Sequence, residues 1–244
     1  MSGWVLILGA KSDMARAIAH RYAKAGYSLY LAARNYDEPE SDITDINIRY
    51  KVQAKAMAFD VTDFGSHESF YKNLDPKPDG VICAVGFMPE QKDAQADFEI
   101  AKRVIDTNYT GCVSILEIIA GDFEERKSGF IIGISSAAGD RGRKKNYTYG
   151  SAKAGFTAFL SGLRNRLFGS GVHVMTVKPG FVATRMTRHM DLPEKLTAQP
   201  AEVAEDIFRA HQKGKDVLYT KWFWKLIMWI IIHVPEKIFK RTTI

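Results

Sequence analysis

Short apolar runs alternate with segments of helical period along most of the chain. Residues 5–8, 27–32, 57–59, 80–84, 129–134 and 172–177 are apolar or nearly so, which predicts six strands. Between the first two, residues 12–25 carry Ala15, Ile18, Ala19 and Tyr22 at helical spacing, one face of an amphipathic helix. Longer helical stretches are expected at 98–120 and 149–168. Strands without a polar face must be covered on both sides, so the alternation predicts a parallel sheet between two helical layers. The pattern describes one doubly wound α/β domain to about residue 180, extended by a helix at 200–213 and a strand at 216–219. We divide the chain into a domain over 1–220 and an extension over 221–244.

Composition narrows the class. Of 244 residues, 46% are hydrophobic and 25% charged, which excludes a disordered or collagen-like chain. No window reaches the roughly 18 apolar residues of a membrane span. Cys83 and Cys112 lie in apolar stretches with no partner at metal-ligand spacing. Two reduced, buried thiols are expected, in a reducing compartment. The opening Met-Ser-Gly-Trp lacks a basic leader region, so a cytoplasmic protein is expected. The net charge of +6 is concentrated in two places. One holds Arg141, Arg143, Lys144 and Lys145; the other holds Lys221, Lys225, Lys237, Lys240 and Arg241. Such patches suit anionic partners. No zinc spacing, RNA-binding signature or basic heptad helix accompanies them, so nucleic acid is not expected.

The first strand–helix turn reads Gly9-Ala-Lys-Ser-Asp-Met-Ala15. A tight turn before a helix aims free backbone N–H groups and the positive dipole end at a phosphate. Lys11, Ser12, Asp13 and Met14 therefore join Gly9 as candidate cofactor contacts, with Asp13 standing where a glycine is usual. The second strand ends at Arg34, without the acid that would bind a ribose 2′-hydroxyl. Arg34 and Lys11 suit a 2′-phosphate, which favours NADP(H) and leaves NAD(H) open. The third feature is Ser136, Tyr149 and Lys153. Tyr149 and Lys153 lie four apart on one helical face. A phenol is a weak acid–base at neutral pH, and a neighbouring ammonium favours the phenolate. Ser136, at a strand end, can donate to a carbonyl oxygen.

Together these stretches resemble the short-chain dehydrogenase/reductase family over most of the chain. Asp60-Val61 resembles the family's adenine-contacting pair, and Cys83-Ala-Val-Gly86 its Asn-Asn-Ala-Gly segment with both asparagines replaced. Asn108 matches the helix asparagine that helps hold a proton-relay water. Pro179-Gly-Phe-Val-Ala-Thr184 resembles the segment at the nicotinamide carboxamide. The resemblance implies a Rossmann fold and hydride transfer. Tyr149 would exchange the proton, Lys153 would support it and bind the nicotinamide ribose, and Ser136 would position the carbonyl. Ala84, Gly86, Pro179, Gly180, Val182 and Thr184 join the cofactor set. Family members often pair, so a homo-oligomer is the default.

Two further features bear on the substrate. The cluster Arg141 to Lys145 lies between Ser136 and Tyr149, beside the expected substrate mouth, where it either holds a phosphate or is a solvated loop. Residues 221–234 form an apolar helix whose polar stripe is Lys221, Lys225 and His233. It is too short to span a bilayer, and its tryptophans and flanking lysines suit the membrane interface over 221–241 or, alternatively, a core or subunit contact. The stretch 139–150, Arg185-Met186 and the end of the tail resemble a narrower branch, the polyprenylphosphoryl 2-keto-pentofuranose reductases of D-arabinofuranose synthesis. That resemblance implies a lipid-linked sugar phosphate as substrate, an upstream flavin-dependent oxidase as partner, and a place on the inner face of the membrane. A reductase for another lipid-like ketone, or a nucleotide-binding protein without turnover, is the competing reading.

Overall fold

A computed structural model describes residues 3–34, 40–188 and 190–242. Seven strands form one parallel sheet in the order β3-β2-β1-β4-β5-β6-β9: β1 (Trp4–Leu8), β2 (Ser28–Ala33), β3 (Ala54–Ala58), β4 (Gly80–Cys83), β5 (Phe130–Ile134), β6 (His173–Pro179) and β9 (Val217–Thr220). β7 (Phe181–Val182) and β8 (Thr197–Ala198) pair separately beyond the end of β6. The chain is α/β, as expected from its apolar strands. β1 shows why those strands lack a polar face. Val5 and Ile7 enter one buried cluster, Leu6 and Leu8 the other.

The first cluster is roofed by α1 (Asp13–Lys24), α2 (Glu40–Tyr50) and α8 (Pro200–Gln212), through Ile18, Tyr22, Ile46, Val203 and Ile207. The second lies under α3 (His67–Lys72), α6 (Gly111–Arg126) and α7 (Tyr147–Leu167). α7 buries Phe156, Leu160, Leu163 and Leu167. Truncating one such leucine to alanine costs about 2–5 kcal/mol, so this row fixes the height of the helix on the sheet. β1 lies between β2 and β4, where the order of connections reverses. The crevice at that reversal, beyond the strand ends, is where such sheets bind ligands.

The single helix expected at 98–120 is three pieces. α5 (Phe98–Ile105) passes through a π turn at Asp106–Thr110 into α6, and α4 (Gln91–Ala96) precedes it. α2 and α4 escape the hydrophobic pattern because they bury few apolar residues; Ile48 of α2 is 75% exposed. The tail forms α9 (Phe223–His233) and α10 (Glu236–Phe239). Lys221 falls before α9 and faces Glu202 at 3.6 Å, so it is no part of a helical polar stripe. Trp224, Met228 and Ile231 face Ala137 in a third small cluster, while Trp222, Leu226, Trp229 and Ile230 are exposed. Gly180 makes this docking possible, because a Cβ there would collide with the Trp224 ring. Among the described residues, no helix is long and apolar enough to cross a membrane.

Candidate active site

The crevice beside β1 is a cavity of about 520 Å³. Gly9, Lys11, Ser12, Arg34, Asp60, Val61, Ala84 and Gly86 all line it, as the sequence reading expects. Gly9 has φ +81°, and a Cβ on it would lie 3.0 Å from the backbone of Ala84 and Val85. Only glycine permits both the left-handed turn and that approach. Ser12 caps α1, accepting the Ala15 N–H at 3.1 Å. The Asp60 carboxylate accepts from the Thr62 N–H at 2.9 Å and the Thr62 hydroxyl at 2.8 Å. Burial works against its ionisation, but these bonds, Arg34 and Arg103 hold it below the usual carboxylate range. Arg103 was not expected here. It lies over the Phe87 ring at 4.6 Å and lines the cleft beside Arg34.

Asp13 plays a different part from the cofactor contact expected of it. Its carboxylate accepts from the Arg185 N–H at 2.7 Å and from Arg185 Nε at 3.1 Å. The Arg185 guanidinium also donates to the Lys11 carbonyl. The acid in place of glycine thus ties the phosphate turn to the loop after β7. Met14, Pro179, Gly180, Val182 and Thr184, expected in the same cofactor set, line a second and smaller pocket. The set therefore divides between two ends of one elongated site.

That second pocket, about 110 Å³, is lined by Ser136, Tyr149, Arg143, Asn146, Phe181, Met186 and Trp224 among others. Ser136 follows β5, and its hydroxyl accepts the Ala138 N–H at 3.0 Å. Tyr149 and Lys153 occupy successive turns of α7. Lys153 is 2% exposed. Its Nζ donates to the Val85 carbonyl at 3.2 Å and the Ile134 carbonyl at 3.0 Å, and lies 5.9 Å from the Tyr149 ring centroid. The ammonium is thus fixed beside the phenol by the ends of β4 and β5. Asn108, fully buried, sits in the π turn. Its Nδ2 donates to the carbonyls of Phe87 at 2.7 Å and Val104 at 2.8 Å, and its Oδ1 accepts the Phe87 N–H at 3.2 Å. The side chain pins the strand-end loop between the two pockets.

The basic loop is not the uniform phosphate cradle its charges suggest. Arg141 is turned onto the tail. Its Nη1 donates to the carbonyls of Ile231 at 2.5 Å, Ile232 at 3.2 Å and Val234 at 2.6 Å. Its Nη2 donates to Glu236 at 2.9 Å, and its guanidinium covers the Phe239 ring at 3.7 Å. A cation at the carbonyl end of α9 satisfies groups that a helix leaves open. Arg143 alone of the cluster lines the pocket, and Lys144 and Lys145 are exposed. Asn146, Arg185 and Trp224 escaped assignment to individual roles. Asn146 had a usable signal, since it precedes Tyr149 by three residues, one helical turn.

Residues 3–195 match the family model for short chain dehydrogenases. An uncharacterised oxidoreductase of Mycobacterium tuberculosis is 33% identical over 240 residues, covering 97% of this chain and 96% of that protein. Serine 3-dehydrogenase of Rhizobium radiobacter is 30% identical over 197 residues, covering 77% of this chain and 75% of the enzyme. In three dimensions the chain is similar to a short-chain dehydrogenase of Sphingobium yanoikuyae in complex with NADPH, at TM-score 0.83 and 21% identity, over 96% of this chain and 97% of that one. It is also similar to the bulky-bulky ketone specific alcohol dehydrogenase of Comamonas testosteroni, at TM-score 0.80 and 20% identity, over 96% and 95%. With its Rossmann sheet, its serine and tyrosine at one pocket and its lysine held beside that tyrosine, the chain belongs to the short-chain dehydrogenase/reductase family and is an oxidoreductase.

Proposed function

We propose that the protein reduces the keto group of a polyprenylphosphoryl 2-keto-pentofuranose to the D-arabinofuranosyl lipid. This is the second half of a 2-epimerisation begun by a flavin-dependent oxidase. The observation that carries the reading is the position of α9. Trp224 on its inner face lines the pocket of Tyr149, while Trp222, Leu226, Trp229 and Ile230 face outward beside the exposed Lys225. A small pocket under a helix with an apolar outer face suits a substrate with a polar head and a tail held in lipid. The protein then works peripherally, at the inner face of the membrane. The exposed Lys144 and Lys145 suit the lipid phosphate, a role that Arg141 has lost to the tail.

The large cleft fits a dinucleotide: a glycine turn, a capped helix N-terminus and a cavity of about 520 Å³. Arg34 and Arg103 at its rim, with an arginine rather than an acid directly at the end of β2, favour NADP(H), and NAD(H) is the alternative. Among similar structures, that from Sphingobium is a complex with NADPH and a reductase from Brucella melitensis has bound NAD. The nicotinamide supplies the hydride. Ser136 orients the carbonyl oxygen and Tyr149 delivers its proton. Lys153 is held beside the phenol and would bind the nicotinamide ribose. Asn108 supports the proton relay by holding the loop at Phe87.

One observation favours the second reading, a reductase for another lipid-like ketone. Met14, Met88, Met186, Met190 and Phe181 give the pocket a largely apolar wall. The test supplies purified protein with polyprenylphosphoryl ribofuranose, a matching flavin oxidase, and NADPH or NADH in parallel. We expect oxidase-dependent consumption of NADPH and an arabinosyl lipid. No consumption in the presence of the keto intermediate overturns this reading. Turnover of acyl or steroid ketones under the same conditions establishes the second.

A further inference from the structure

The N-terminus of α7 is capped from outside. Asn146 stands immediately before the helix, where an asparagine side chain ordinarily accepts an N–H from the first turn. Here it makes no such bond. Gln91, at the start of α4, takes its place. The Thr148 N–H donates to Gln91 Oε1 at 3.0 Å, and Gln91 Nε2 donates to the Thr148 hydroxyl at 3.0 Å. Gln91 is only 9% exposed, so this replacement cap is itself built into the packing.

The asparagine so released lines the pocket with Tyr149 and Ser136. Its Oδ1 is buried without a hydrogen-bond partner, and so is Nε of Arg143 in the same pocket. Among the described residues only one other buried side-chain nitrogen or oxygen lacks a partner, Thr220 Oγ1, and Thr220 does not line the pocket. An unmet buried donor or acceptor costs about 1–3 kcal/mol. Two such groups, one a donor and one an acceptor, therefore belong to side chains of the pocket that holds Tyr149 and Ser136. Burial lowers the proton affinity of the Arg143 guanidinium, with Asp140 partly opposing it, so its desolvation is only partly compensated.

We propose that Asn146 and Arg143 determine specificity by reading a hydroxyl group next to the carbonyl that is reduced. One hydroxyl meets both needs: its O–H donates to Asn146 Oδ1, and its oxygen accepts from Arg143 Nε–H. A plain alkyl ketone leaves both groups unmet. Sites built to bond a substrate hydroxyl discriminate strongly against analogues that lack it. The inference rests on reading Tyr149 as the proton donor to a carbonyl. It deepens that reading by naming α-hydroxy ketones as the selected class.

The experiment compares 2-hydroxycyclopentanone with 2-methylcyclopentanone, which differ by a hydroxyl in place of a methyl, in NADPH oxidation by the full chain. The corresponding alcohols, cis-1,2-cyclopentanediol and cis-2-methylcyclopentanol, are compared for binding by saturation-transfer NMR in the presence of NADPH. The wild type is expected to prefer the hydroxylated member by roughly 100-fold or more in kcat/KM. Asn146→Leu and Arg143→Met should each cut that preference about tenfold or more, with the methyl ketone changed less than about threefold and NADPH affinity unchanged. Gln91→Leu is the second variant. It leaves both pocket residues in place but returns Asn146 to the Thr148 N–H, and the preference should fall with it. Equal losses for both substrates, or a wild type that does not prefer the diol in binding, overturns the proposal. If neither ketone turns over while diol binding still depends on Asn146, the carbonyl-reduction reading fails and the assigned pair stands.

Discussion

The two ends of the elongated site are finished to different degrees. At the cofactor end, Ser12 caps its helix and Asp60 holds Thr62, and Lys153 and Asn108 fasten the loop after β4 that separates this end from the other. At the substrate end, Arg143 and Asn146 keep buried polar atoms without partners, and the adjoining tail exposes tryptophan, leucine and isoleucine. The contrast follows from what each end must do. A constant ligand can be met by a preorganised frame. A selective end must remain incomplete until its substrate arrives, since a group satisfied by the protein has little left with which to discriminate.

The largest effect that tests this contrast is at Tyr149. Tyr149→Phe should lower kcat by about 10²–10⁴-fold while NADPH affinity, read by fluorescence titration, stays within about twofold. A parallel loss of cofactor binding would show that the two ends are not separable. Next is the outer face of the tail. Leu226→Glu with Trp229→Glu should reduce partition onto anionic liposomes by roughly tenfold or more, with turnover of a water-soluble ketone unchanged. These side chains are 54% and 59% exposed and lie away from the pocket, so unchanged partition would remove the membrane from the proposal.

A smaller effect sharpens the contrast from the side of the scaffold. Burial, with some help from His173, depresses the His211 pKa to about 4. The unfolded chain then binds a proton near pH 6.5 that the folded one refuses. Stability is therefore lost as pH falls from about 6.5 towards 4, by about 1–2 kcal/mol given the ring's partial exposure. His211→Phe should flatten that part of the curve, read by chemical denaturation at several pH values, and leave NADPH affinity unaltered. The smallest effect concerns the bridge between the ends. Arg185→Ala removes an exposed pair with Asp13 and should raise the KM for NADPH only about two- to fivefold.

The sequence reading succeeded where the information is local. The glycine turn, the apolar strands and the Tyr149–Lys153 spacing each depend on a few consecutive residues, and their geometry follows from one strand end or one helix face. It failed where a residue's partner is far along the chain. Asp13 meets Arg185 across 172 positions, and Arg141 meets Ile231 across 90. Neighbouring cations in a cluster look alike in composition, and only the docking of the tail separates Arg141 from Arg143. Arg103 was invisible for a similar reason. It reaches the cleft because α5 is carried beside Phe87, a consequence of packing rather than of its own surroundings.

The fastening of Arg141 gives the molecule a mechanical connection. The loop that carries Ser136 and Arg143 is joined to the end of α9 by three carbonyl bonds and an ion pair. Lys178 and Tyr219 bind Asp140, the residue beside it, at 2.5 and 2.7 Å, and so tether the same loop to the sheet. The outer face of α9 is therefore connected to the wall of the pocket through Arg141, and to the strands through Trp224 against Phe181 and the cluster that includes Tyr219. The pocket wall and the tail are thus fastened to each other at Arg141, and the neighbouring Asp140 anchors that junction to the sheet.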